Sequence, residues 1–268
     1  MIWITGAILT LTIVVIFYYC QLLTIGGTIT SFFIGWIIFS LGKLTFSIPI
    51  LVFFVSSNIL SKIGRSQKSQ LATYFQKTNQ RDLGQVLANG CIPVLLLLGW
   101  SQYQNPIWMV LYWASLASAT ADTWATEFGV LSKSEPRSIL NFKKVQKGTS
   151  GAVSLLGLIA AASGALIIAF TGYFTSWLEL SLIFSWKCLL FLTIIGFVAQ
   201  TFDSILGASA QVQYSCFECG KITERKRHCS GNHTKRISGF KWMDNDMVNF
   251  LSNLSGVLIG WMSYRIFI

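Results

Sequence analysis

Long stretches of this chain carry no charged side chain, and short basic segments separate them. No Asp, Glu, Lys or Arg occurs from Met1 to Gly42, Leu83 to Ala121, Gly148 to Leu178, Cys188 to Phe202 or Met247 to Tyr264. A helix in a soluble core seldom stays uncharged beyond about 14 residues, whereas a bilayer crossing needs about 20. The apolar runs are continuous rather than alternating, which argues against a transmembrane β-barrel. They predict an all-α, polytopic transmembrane bundle. Eight spans are placed at about 2–20, 22–42, 44–61, 84–101, 106–128, 149–171, 183–209 and 246–266, although the first two also fit one hairpin or one very long tilted helix. The opening Met1-Ile2-Trp3-Ile4 lacks the basic segment of a cleaved signal, so the first run is expected to be a retained span.

Composition agrees. The chain is 53% hydrophobic and 11% charged over 268 residues, which excludes a disordered or collagenous protein. It reads as one membrane domain, 1–268, with a basic Cys/His-containing cytosolic loop at about 211–243.

The net charge of +10 is concentrated. Lys62, Arg65, Lys68, Lys77 and Arg81 share one loop; Lys133, Arg137, Lys143, Lys144 and Lys147 share a second; and seven more from Lys221 to Lys241 share a third. With eight spans, all three loops fall on one side, where the excess of Lys and Arg marks the cytosol. Both termini then lie outside, and the outer connections 101–106 and 172–179 contain no Lys or Arg. The loops are short and tethered at lipid, unlike a nucleic-acid interface. Small residues at helical spacing, Gly157, Ala161 and Gly164 among them, fit close helix packing in lipid.

Polar residues gather at the inner ends of the spans: Asn58, Asn89, Asp122, Thr123, Glu127, Gln200, Asp203, Asp246, Asn249 and Asn253. Carboxylates beside spans are costly and normally face a polar interior. Pairing with loop Lys or Arg is the purely structural explanation. Several carboxylates at one depth favour a shared divalent cation, and oxygen ligands of this kind suit Mg²⁺ held together with substrate phosphates. Gly148-Thr149-Ser150-Gly151 directly follows Lys143, Lys144 and Lys147 and is expected to open span 6. Free amides at a helix start attract phosphate, although Gly and Ser also serve as plain caps. In the third loop Cys216 and Cys219 have zinc-knuckle spacing, and Cys229 with His233 would complete a tetrahedral Zn²⁺ set. Reduced cysteines in a solvated loop are the alternative.

At these residues the chain resembles a known integral membrane family, one that includes animal transmembrane protein 19 and the plant phytyl-phosphate kinase. The resemblance rests on Ser118-Ala119-Thr120-Ala121-Asp122-Thr123-Trp124-Ala125-Thr126-Glu127-Phe128-Gly129, Ser134-Glu135-Pro136-Arg137, the Gly148–Gly151 block, Asp203-Ser204-Ile205-Leu206-Gly207-Ala208 and Asp244-Asn245-Asp246-Met247-Val248-Asn249. Phe53-Phe54-Val55-Ser56-Ser57-Asn58 and Gln85-Val86-Leu87-Ala88-Asn89-Gly90 also match its blocks. Ala152 departs from the pattern, standing where many relatives have a second glycine. More distantly, the arrangement is similar to dolichol and phytol kinases and CDP-diacylglycerol synthases.

The resemblance implies a phosphotransferase that turns an isoprenyl monophosphate into the diphosphate with CTP, or ATP, and Mg²⁺. On that reading Asp122, Glu127, Asp203 and Asp246 hold Mg²⁺, with Asp122, Asp203 and Lys147 catalytic. Lys144, Gly148, Thr149, Ser150, Gly151 and Thr123 bind the nucleotide, while Asn58, Asn89, Arg137 and Asn249 orient the lipid phosphate. A cytidylyltransferase making a CDP-lipid, or a lipid-phosphate transporter, are the alternatives.

Overall fold

The computed structural model describes every residue except 65–67, 69–79, 181–184, 230 and 268; the expected loop cations Arg65 and Lys77 lie outside the described residues. Among the described residues eight long helices follow one another: α1 (Ile2–Tyr19), α2 (Ile25–Leu41), α3 (Lys43–Lys62), α4 (Leu83–Tyr103), α5 (Pro106–Gly129), α6 (Leu155–Leu180), α7 (Trp186–Ser209) and α8 (Asn245–Phe267). Short strands fill two of the basic loops. β1 (Arg137–Ser138) pairs antiparallel with β2 (Ala152–Val153). In the third loop β3 (Gln213–Ser215) lies between β4 (Ile222–Thr223) and β7 (Lys235–Ser238), and β5 (Arg227–His228) pairs with β6 (Asn232–His233).

Five helices, α1, α3, α4, α6 and α7, are long and apolar enough to cross a membrane, with mean hydropathy of 1.6 to 2.1. The 17-residue α2 forms a hairpin with α1, which removes the single-long-helix alternative. The other two, α5 and α8, have the length but a more polar composition, and their positions explain it. Every residue of α5 from Met109 to Ala121 is buried, because α3, α4, α6, α7 and α8 surround it. A helix screened from lipid by protein does not need a continuous apolar surface.

Glycine sets how closely the neighbours approach α5. A Cβ on Gly157 or Gly164 of α6 would stand 2.9 or 3.0 Å from the Ala125 or Thr120 carbonyl oxygen, and one on Gly196 of α7 would stand 3.0 Å from that of Ala117. Association in lipid rests on such contact rather than on hydrophobic transfer, so small residues belong at the tightest crossings. Polar ends are satisfied locally. Asp82 and Gln85 form a reciprocal capping box at the start of α4. At the opposite end of the bundle Glu179 of α6 accepts from the amides of Leu44 and Thr45 (3.2 and 2.9 Å), placing a carboxylate on the N-terminus of α3.

Span 6 departs from expectation at both ends. Residues 149–153 form a turn and β2 rather than helix, and α6 then continues to Leu180. Gly148 and Gly151 adopt φ of +86° and +72°, which a helix start does not accommodate, so the absence of charge there marked a loop.

Candidate functional site

The C-terminal ends of α5 and α7, the 148–154 turn and the third loop enclose a cavity of about 300 Å³. On α5 the residues Asp122, Thr126 and Gly129 share a helical face toward it; on α7 the residues Gln200, Asp203, Ser204 and Gly207 do the same. The carboxyl groups of Asp122 and Asp203 lie close enough to act on each other through charge and hydrogen bonding. Glu127 also lines the cavity and pairs with Lys68 from the first loop at 2.5 Å. Gln200 Nε2 donates to Ser204 Oγ at 2.9 Å. Two buried oxygens, Asp203 Oδ2 and Gln200 Oε1, have no hydrogen-bond partner among the described residues.

The turn Gly148-Thr149-Ser150-Gly151, with Lys147 beside it, forms another part of the wall and packs against α7. Lys147 Nζ donates to the Ser132 carbonyl. Gly151 fits because nothing larger would: a Cβ there would lie 2.4 Å from the Ser204 carbonyl oxygen of α7. The backbone folds the turn tightly, with Thr149 N–H donating to Gln146 and Ala152 N–H to Thr149. Among the described residues the amides of Gly148, Ser150 and Gly151 have no protein acceptor. Glu224 reaches in from the third loop and accepts from Ser150 Oγ (3.0 Å) and Gln211 Nε2 (2.7 Å).

A second, apolar cavity of about 90 Å³ lies between α1, α2, α3 and α4. Gln85 belongs to the walls of both cavities. Arg81, on the wall of the second, stacks its guanidinium over Phe53 and Phe54 at 5.4 and 5.9 Å and exerts its charge on Asp122 and Glu127 of the first. Asn89 lines this second cavity, bonded to Asn253 of α8 at 2.9 Å.

The expected site is thus brought together in part. Asp122, Glu127, Asp203, Lys147 and residues 148–151 share one cavity. Asp246 does not; its carboxylate packs against Gly84 at the start of α4. Lys144 points outward and pairs with Glu135 at 2.8 Å, both about two-thirds exposed. Arg137 is exposed and closes its own turn on the Phe142 carbonyl. Thr123 and Asn58 spend their side chains on carbonyls one helical turn back, at Ala119 and Phe54, and Asn249 lies outside both cavity walls. Residues not singled out from sequence take places instead: Lys68, Arg81, Gln85 and Glu224. Glu224 had one signal, being one of only two acids between Ala210 and Met243.

In the third loop Cys216, Cys219, His228 and Cys229 bring their ligand atoms within 4.8 Å of one another. His228 replaces His233, which is exposed on β6. The two histidines lie on paired strands, Arg227 opposite His233, and only His228 turns toward the cysteines. Hydrogen bonding from the Cys219 amide holds the Cys216 thiol down at about 6, while the neighbouring Cys219 and Cys216 sulfurs push the Cys229 thiol up to about 12.

Comparison with known proteins agrees with this membrane architecture. Protein PGR of Arabidopsis thaliana is 33% identical over 251 residues, covering 87% of this chain and 85% of the relative. An uncharacterized membrane protein of Methanocaldococcus jannaschii is 30% identical over 244 residues, 89% and 84% of the two chains. A further uncharacterized membrane protein, from Synechocystis, is 28% identical over 195 residues, 71% and 73%. No solved structure matches significantly. The family model described as integral membrane protein DUF92 matches residues 8–257, from the middle of α1 to the middle of α8 and through the walls of the acidic cavity, and the chain belongs to that family.

Proposed function

We propose that the protein is a membrane-embedded phosphotransferase that converts an isoprenyl monophosphate into the diphosphate, with CTP or ATP as donor and Mg²⁺ as cofactor. The observation that carries this reading is the interacting Asp122 and Asp203 carboxyls in one cavity with a glycine-rich turn whose amides are uncommitted. Two carboxylates this close repel unless a cation or a proton lies between them. The oxygen donors and the unpartnered Asp203 Oδ2 fit a hard divalent ion better than a proton shared for structure alone. Asp122 and Asp203 would hold Mg²⁺, with Glu127 nearby. When bound, the ion neutralises charge on the transferring phosphate.

The chain's own residues do the rest. Lys147 and the amides of Gly148, Ser150 and Gly151 bind and orient the nucleotide phosphates. Gln85, which belongs to both cavity walls, and Arg81 on the wall of the second receive the lipid phosphate. An oxygen of that phosphate attacks the γ-phosphorus of the donor; the new O–P bond forms as the β,γ-bridging bond breaks, and the nucleoside diphosphate leaves. A phosphate monoester is nucleophilic near neutral pH, so positioning and charge neutralisation supply most of the acceleration.

The test is purified protein with radiolabelled CTP or ATP and a panel of prenyl monophosphates, with and without EDTA. Lipid diphosphate plus nucleoside diphosphate is expected, and EDTA should abolish it. Pyrophosphate plus a CDP-lipid would identify a cytidylyltransferase instead, and metal-independent transfer would remove the mechanism.

The apolar cavity supplies a seat for the isoprenoid tail, ending at Arg81 and Gln85. Ile13→Trp narrows it from α1, at a residue outside the wall of the acidic cavity. The KM for long-chain prenyl monophosphates should rise by about tenfold or more, since each misfit methylene is worth 1–3 kcal/mol, while short-chain substrates change little. An equal change at every tail length would place the tail elsewhere.

A further inference from the structure

The third loop has chemistry that phosphoryl transfer does not use. Cys216 and Cys219 bracket the turn between β3 and β4, where the Gly220 amide donates to the Cys216 carbonyl at 2.9 Å. His228 ends β5 and Cys229 follows it with φ of +37°. This lets adjacent residues aim at one point: His228 Nδ1 lies 3.5 Å from Cys219 Sγ and 3.2 Å from Cys229 Sγ. A tetrahedral ion with metal–sulfur bonds of about 2.3 Å and metal–nitrogen bonds of about 2.0 Å separates its ligands by roughly 3.5 to 3.8 Å. All six described cysteines are free, so no disulfide competes for these sulfurs. Three thiols and an imidazole form a soft donor set, unlike the oxygens of the cavity.

The geometry points to a structural Zn²⁺ site formed by Cys216, Cys219, His228 and Cys229, which fixes the hairpin that seats Glu224 against the Gly148–Gly151 turn. Glu224 lies between the two ligand pairs in the chain, immediately after β4. Its bonds to Ser150 and Gln211 cross from this loop to the cavity wall. The short strands β4, β5 and β6 have little core of their own, with Thr223 the one buried residue among them. In a segment this small, the free energy of metal binding becomes folding free energy. The ion sits outside the reaction and holds one wall in place.

The full-length protein, purified in detergent from zinc-replete cells, is analysed for metal by mass spectrometry. One zinc per chain is expected, retained in His233→Ala and lost in His228→Ala and Cys229→Ser. Cobalt exchanged into the wild-type protein should give thiolate charge-transfer and tetrahedral visible bands, a readout that no variant's folding affects. Stripping zinc with a chelator should speed tryptic cleavage at Arg225–Arg227 by about tenfold. Iron in place of zinc, zinc that survives Cys229→Ser, or zinc lost with His233→Ala would overturn the assignment. None of these results depends on whether the protein transfers phosphate, so the two readings fail separately.

Discussion

Asp122→Asn is expected to reduce turnover by about 1,000-fold or more while the protein folds and extracts normally. Asparagine keeps the shape of the side chain and removes its charge, at a position where the carboxyl acts on that of Asp203. Loss of one group that stabilises developing charge typically costs 10²–10³ in rate. Here a metal ligand would be lost as well. Stability should move the other way. Asparagine carries no charge to bury and can still hydrogen-bond the Asp203 carboxyl, so the melting temperature in detergent should hold or rise. Asp203→Asn should behave alike, and the double variant should be no slower than either single one, because residues acting as a unit are not additive. Turnover in Asp122→Asn near the wild-type rate would defeat the metal assignment, however well the cavity is formed.

The eight helices were legible because uncharged length is a coarse signal that a bilayer demands. Most ends fell within three residues of prediction. The exception, span 6, shows the limit of that signal: between Gly148 and Val153 the chain is uncharged yet turns, because two glycines take φ values closed to a helix. The polar helices α5 and α8 were legible as spans only through their apolar remainder, since their polarity reflects neighbours that no local window contains.

At the site, the carboxylates on the facing sides of α5 and α7 and the glycine turn were readable. Thr123, Asn58, Asn249 and Asp246, also on helices, miss the cavity, and the choice among neighbouring cations was not readable. Asp122 and Asp203 are fixed by the faces of α5 and α7. Whether Lys144 or Lys147 faces the cavity depends on the path of a short loop, in which Lys144 turned outward to Glu135. Arg81 lies next to a helix cap, and nothing local shows that its guanidinium crosses Phe53 toward Asp122. Choosing between His228 and His233 likewise required the pairing of two two-residue strands. Such strands carry too few side chains for a hydrophobic pattern to set their register.

Gly151→Ala carries the second large expectation, because it tests the glycine turn that shares the cavity with the carboxylates. The added methyl would stand 2.4 Å from the Ser204 carbonyl oxygen and 2.6 Å from the Ala208 amide nitrogen. Both are backbone atoms of α7, which cannot step aside as a side chain would. The φ of +72° adds strain of its own, and a non-glycine residue held in such a region costs about 1–3 kcal/mol. The turn must therefore lift from α7, carrying the Gly148 and Ser150 amides and the Ser150–Glu224 contact with it. A displacement of about 1 Å in a positioning element can cost 100-fold in rate, so kcat/KM should fall by about that factor, with a lower melting temperature. Gly231→Ala separates strain from displacement: its φ is +89°, but nothing lies within 4 Å of the new methyl. That variant should lose a comparable share of local stability and keep its turnover. If Gly151→Ala turns over like Gly231→Ala, the turn does not hold the nucleotide phosphates, and the lysine and amide half of the proposed site must be sought elsewhere along the cavity.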